Sequence, residues 1–158
     1  MNLLYRLLRK PPALDAEQRR RLAAWQALPE PDLSEPIGES RLVVVDVEST
    51  GLDIRRDRLI AIGAVAVQAG RIALADSFEV ILRQEEVSDR DNILVHGIGG
   101  QMQRAGLAPA QALLDFLDYL GKSPLVAYHA VFDATMLQRA MAMHLGLGCK
   151  RPWLDLAY

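Results

Sequence analysis

Residues Val43 to Leu52 read VVVDVESTGL: three valines run straight into two acids spaced two apart, followed by Ser-Thr-Gly. The apolar run that begins at Arg41, RLVVVDV, has the pattern of a strand buried on both faces. Residues i and i+2 of a strand project from the same face, so Asp46 and Glu48 stand side by side at its end. Two like charges so placed repel, and one carboxyl pKa rises unless a cation neutralises the pair. A hard divalent ion bound through oxygen, magnesium or manganese, is the natural solution. Gly51, just beyond, lets a backbone or a ligand approach closely. For D-x-E alone, a strand end whose acids simply meet water is the commoner case.

The chain around this strand predicts an α/β fold. Leu59–Gln68, LIAIGAVAVQ, is a second β-rich run; Ala69-Gly70 is a tight turn, and Arg71–Leu82 continues as a third strand. RQEEVSDRDNILVHGIGG reads as a loop with a short helix. Pro109–Leu120 has apolar residues at helical spacing with proline at its start. Core positions by this spacing are Leu113, Phe116 and Tyr119. SPLVAYHA is a short strand, FDATMLQRAMAMHLGLG a helix ended by glycines, and WLDLAY opens a further element. A meander followed by βα crossovers predicts a mixed sheet, with an antiparallel meander plus a parallel strand, flanked by helices. Residues 1–40 are of a different character. Asp15 with Gln18 three residues later reads as a helix start, with the helix running to about Leu28, and Pro29–Ser40 is a proline-rich linker. The expected division is therefore 1–40, helix and linker, and 41–158, the compact domain.

Bulk properties narrow the classes. With 158 residues the chain suffices for one cored domain, and its net charge of −2 exerts no global pull on a polyanion. Any such partner must be met by a local basic patch or by metal ions. Cys149 is the single cysteine, which excludes a disulfide within the chain and suits a reducing, cytoplasmic setting. MNLLYRLLRKPP is too short and too interrupted by charge for a signal peptide, and no stretch reaches membrane-spanning length. Arg19-Arg20-Arg21 is read as a solvated helix face in preference to a phosphate-binding one. Trp25 and its helix pack either on the domain or on a partner.

A second acid shifts the balance at the strand end. LVAYHAVFDATML repeats the design: apolar strand, small-residue turn, then Asp133 at a helix start. Ligand sites in open α/β sheets lie at the carboxyl ends of parallel strands. Parallel neighbours would bring Asp46, Glu48 and Asp133 together.

DVESTGL resembles the first motif, D-x-E-T-T-G, of the DnaQ-like, DEDD-type 3′–5′ exonucleases, and YHAVFD resembles their second, H-N-x-x-F-D. LIAIGAVAV and the His96-Gly-Ile segment fall where that family has its second strand and substrate loop. The resemblance spans about Arg41 to Tyr158 and implies a ribonuclease-H-like fold and two-metal hydrolysis of phosphodiesters. It implies that Asp46 bridges both metal ions, that Glu48 binds one and that Asp133 completes the site. It also implies that Leu52 and the backbone about Thr50 and Gly51 hold the terminal 3′ base, with His129 and Phe132 on the substrate side; for His96 two readings stand, a substrate contact or a loop histidine bound only to water. Ser49, Tyr128 and His129 depart from the family's Thr, His and Asn. For His129 two readings stand, a place beside the metals or a cap on the following helix. His144 reads as helix surface. Asp155 resembles a position that starts a helix, and is read as a cap rather than a metal ligand.

The family also uses a His five residues ahead of a fourth Asp. None of the three histidines here is followed five residues later by an acid, so the expectation is that the chain stops before this third motif. Loss of a general base costs roughly 10²–10⁴ in rate, and the 158 residues alone are expected to be nearly inactive. The reading is an exonuclease of single-stranded 3′ DNA ends, a polymerase proofreading subunit or a repair nuclease, with homodimerisation left open. Its rivals are an RNA-trimming enzyme of the same fold and a non-catalytic nucleotide- or protein-binding module.

Overall fold

A computed structural model describes residues 13–148 and 150–158. The MNLLYRLLRKPP segment, apart from its continuation from residue 13 onward, and Cys149 lie outside the described residues. The elements in chain order are α1 (Ala16–Gln26), β1 (Leu42–Ser49), β2 (Leu59–Gln68), β3 (Arg71–Ile81), α2 (Arg90–His96), α3 (Gly100–Ala105), α4 (Pro109–Leu120), β4 (Leu125–Ala127), α5 (Val131–His144) and β5 (Trp153–Asp155).

The strands form one mixed sheet in the order β3-β2-β1-β4-β5. β1 is its centre, antiparallel to β2 and parallel to β4, which is in turn parallel to β5. The meander and the parallel strand are as the sequence predicts. Ala69 and Gly70 both have positive φ, 51° and 67°, the twist-matched turn that joins two antiparallel strands by two residues. The polar stretch after β3 holds the expected short helix, α2, and a second short helix, α3, follows it from Gly100. WLDLAY contributes a strand, not a helix start.

Alternation along the strands decides which face is covered. Val43, Val45 and Val47 of β1, Ile62 of β2 and Val80 of β3 join Leu113, Phe116, Leu117 and Leu120 of α4 and Met136, Leu137 and Met141 of α5 in one core. The α4 residues are completely buried, each worth on the order of 1.5–3 kcal/mol relative to exposure. The other face carries Asp46 and Glu48, opposite Gly63 and Ala61 of β2.

Trp25 settles how α1 sits. It is buried in that core, and its indole N–H donates to the Gly121 carbonyl at 2.6 Å. The Lys122 ammonium lies 4.0 Å from the ring centroid. Arg21 bonds Asp115 at 2.7 Å and also Asp118, both on α4. One of the three consecutive arginines therefore anchors the helix, while Arg20 pairs locally with Glu17. Asp15 and Gln18 form the expected reciprocal cap. No helix among the described residues is long and apolar enough to cross a membrane.

Candidate active site

β1 and β4 pair only at Val43↔Leu125 and Val44↔Val126. Past that point the two strands part, and the Val47 amide finds no strand partner on the β4 side. Asp133, in the first turn of α5, takes its place: the Val47 N–H donates to Asp133 Oδ1 at 3.1 Å. This bond brings the acid of the crossover helix within electrostatic reach of Asp46. Glu48 and Ser49 flank a register shift against β2, an irregularity of the kind that re-aims side chains beside active sites.

The three acids differ in burial. Asp46 is exposed, Glu48 half-buried and Asp133 buried. Burial, with the Asp46 charge next in weight, raises the Asp133 carboxyl to about 6; Asp155 adds to the rise and the Val47 amide opposes it. Glu48 is raised by its own desolvation and by Asp46, and His96 opposes that shift. Asp46 thus acts on both of the others. Among the described residues no Lys or Arg forms an ion pair with any of the three. As placed, no three acidic, histidine or cysteine side chains among the described residues close around one ion. Asp133 Oδ1 is engaged by the Val47 amide. The donor chemistry, oxygen-only and unneutralised, fits a hard divalent cation; a closed cage requires the side chains to turn inward.

The β4–α5 turn is held from β5. The His129 and Ala130 amides donate to Asp155 Oδ1 and Oδ2, each at 3.0 Å, and the Ala157 amide donates to Oδ1 at 3.0 Å. Asp155 caps, as expected, but it caps the turn ahead of α5 from the end of a strand. His129 itself has φ 58°. The helix N-cap residue, Ala130, has no side-chain cap bond, so the His129 side chain does not cap α5. Its ring meets Tyr128 edge-on, centroids 4.4 Å apart. Phe132 is half-buried against the core.

The β1–β2 loop is closed on Asp57. The Thr50 hydroxyl donates to Asp57 Oδ1 at 2.9 Å, the Asp53 amide donates to Oδ2 at 2.7 Å, and the Arg58 amide donates to the Thr50 hydroxyl at 2.9 Å. A Cβ on Gly51 would lie 2.6 Å from Asp57 Oδ2. The close approach that Gly51 permits is thus by a side chain of its own loop. The Ser49 hydroxyl donates to the Gly51 carbonyl at 2.6 Å. From α5, the Arg139 guanidinium donates to the carbonyls of Ile54, Arg55 and Asp57. On this braced loop Leu52 is 86% exposed.

His96 ends α2, with its ring nitrogens engaged by the protein: Nδ1 accepts from the Ile98 amide at 2.9 Å, and Nε2 lies 2.8 Å from Asn92 Oδ1 and 3.2 Å from Ser88 Oγ. His144, the last residue of α5, is half-buried. A cleft of about 710 Å³ is lined by Arg58, Arg83, Met136 and Arg139 among others, and by none of the three acids. Sequence reasoning missed Asp57 and Arg139. Asp57 sits in a polar loop without periodicity, and only the neighbouring Gly51 hinted at a tight contact.

A five-stranded mixed sheet, order β3-β2-β1-β4-β5, flanked by helices, is the ribonuclease-H-like fold. The exonuclease family model matches residues 43–156, and the chain belongs to that family. It is 33% identical over 118 residues to the PolC-type DNA polymerase III of Thermotoga maritima, covering 75% of this chain and 8% of that one. It is 27% identical over 104 residues to the DNA polymerase III subunit epsilon of Rickettsia felis, covering 65% of this chain and 45% of the relative. Among solved structures, apo exonuclease I matches with a TM-score of 0.64 at 16% identity, over 75% of this chain and 29% of that one. E. coli exonuclease I with a dA16 oligonucleotide matches at 0.61 and 16% identity, over 75% and 28%. The chain thus spans less than half the length of each of these relatives, from 8% to 45%.

Proposed function

We propose that this chain is a 3′–5′ exonuclease domain that removes nucleotides from the 3′ end of single-stranded DNA, in proofreading or repair. The observation that carries the reading is Asp133 bonded to the Val47 amide, between Asp46 and Glu48 in β1, with no Lys or Arg among the described residues paired to any of the three. A scaffold gains nothing from carboxyls forced upward by burial and by each other, whereas a cation site needs them. The polymerase III relatives and the dA16-bound structure support DNA as substrate. Asp46, Glu48 and Asp133 would hold magnesium or manganese, two ions in the fullest form. Bound there, the ions would neutralise phosphate charge and favour attack on phosphorus. Exposed Leu52, on a loop braced by Asp57 and Arg139, offers apolar contact to a terminal base, a sequence-tolerant mode of binding.

The test is a gel assay of the full-length protein with end-labelled DNA and RNA, with manganese or with EDTA. Early loss of a 3′ label from DNA, with a 5′ label retained on shortening products, is expected. RNA shortened in place of DNA would reassign the substrate, and no cleavage of either would overturn the reading.

A further inference from the structure

We propose that Asp155 is a positioning residue for Asp133: its carboxylate, from the end of β5, sets the start of α5 and so delivers Asp133 to the Val47 amide. The inference rests on the reading of Asp133 as a metal-holding acid. The two amides that Asp155 binds in the β4–α5 turn belong to His129 and Ala130, the two residues immediately ahead of α5, at 3.0 Å each. Between them they fix the left-handed His129 and the helix N-cap, whose own side chain supplies no bond. A non-glycine residue is strained in that conformation and persists there only if its surroundings hold it. Asp133 follows Ala130 by one helical turn, so a rotation or fraying of the first turn moves its carboxylate directly.

The same contacts argue against Asp155 as a metal ligand. Its two oxygens already accept three amides, one of them the Ala157 amide in the turn just past its own strand. A local cap would need to satisfy only its own turn. Here a residue from one strand end reaches 26 positions back to His129, and the element it grips carries the buried acid of the site.

Amide hydrogen exchange by NMR on this chain separates positioning from local capping. In Asp155→Ala and in the milder Asp155→Asn, exchange should accelerate at His129 and Ala130 and also, by at least about tenfold, at Val47. The amide of Leu117, deep in α4, should be unchanged, which certifies a folded core and keeps the Asn variant informative if the Ala variant unfolds. Asp133→Ala, which removes the acceptor outright, sets the upper limit of the Val47 effect. Val47 protection unchanged while His129 and Ala130 open would overturn the inference. Paramagnetic broadening by Mn²⁺ in the unsubstituted chain tests the reading beneath it: no broadening at Asp46, Glu48 and Asp133 would remove the metal role for Asp133, whatever Val47 does.

Discussion

Replacing Asp133 by Asn should stabilise the metal-free protein at neutral pH while removing a cation ligand. The carboxyl is displaced from the ordinary 3.8 to about 6 by burial and by Asp46. At roughly 1.4 kcal/mol per pH unit, ionising it inside the fold costs about 3 kcal/mol. Because the folded value lies above the unfolded one, the protonated form's stability is fully present below about pH 3.8 and is lost as pH rises through about 6. Asn keeps a carbonyl oxygen for the Val47 amide, whose bond to Oδ1 is 3.1 Å in the unsubstituted chain, and carries no charge at any pH. Urea unfolding in EDTA should therefore give a variant indistinguishable from the parent below about pH 4. Its advantage should grow through pH 4–6 and level off at a ceiling of about 3 kcal/mol, or about 6–12 °C in Tm for a chain of this size. A variant no more stable than the parent at pH 7.5 would show that the site stores no electrostatic cost, and the argument for a cation site would lose its footing.

Gly51→Ala should destabilise the chain by about 1–3 kcal/mol, because the new Cβ would lie 2.6 Å from Asp57 Oδ2; in a nuclease assay KM should rise more than kcat falls, since the displaced loop carries Leu52. Trp25→Ala should cost about 3–5 kcal/mol in chemical denaturation, with the α1 amides losing exchange protection together, since the indole is both buried and bonded to Gly121. An unchanged midpoint would mean that α1 is dispensable to the core.

The central sheet was legible because its signals are local. VVV flanking Asp46, the two-residue turn at Ala69-Gly70 and the apolar faces of α4 each imply their structure over a few residues. Asp46 and Glu48 were legible for the same reason, since a spacing of two in a strand is itself geometry. Asp133 needed the further step that β1 and β4 run parallel, which the crossover pattern supplied. What stayed hidden is long-range or aperiodic. Asp155 grips His129 across 26 positions, and a carboxylate in WLDLAY has no pattern pointing to that turn. Asp57 and Arg139 meet in a loop whose sequence, DIRRDR, reads only as polar. The segment 90–105 forms two helices too short, at seven and six residues, for a 3.6-residue period to show. Trp25 could be assigned to the core only once Gly121 and Lys122 were seen beneath it.

The most direct test of the account is Mn²⁺ binding by this chain, followed by electron paramagnetic resonance for the unsubstituted protein and for Asp46→Asn, Glu48→Gln and Asp133→Asn separately. One site built from all three acids predicts saturable binding in the parent that weakens at least about tenfold in each variant. Equal affinity in parent and variants, or no saturable binding in the parent, would contradict it.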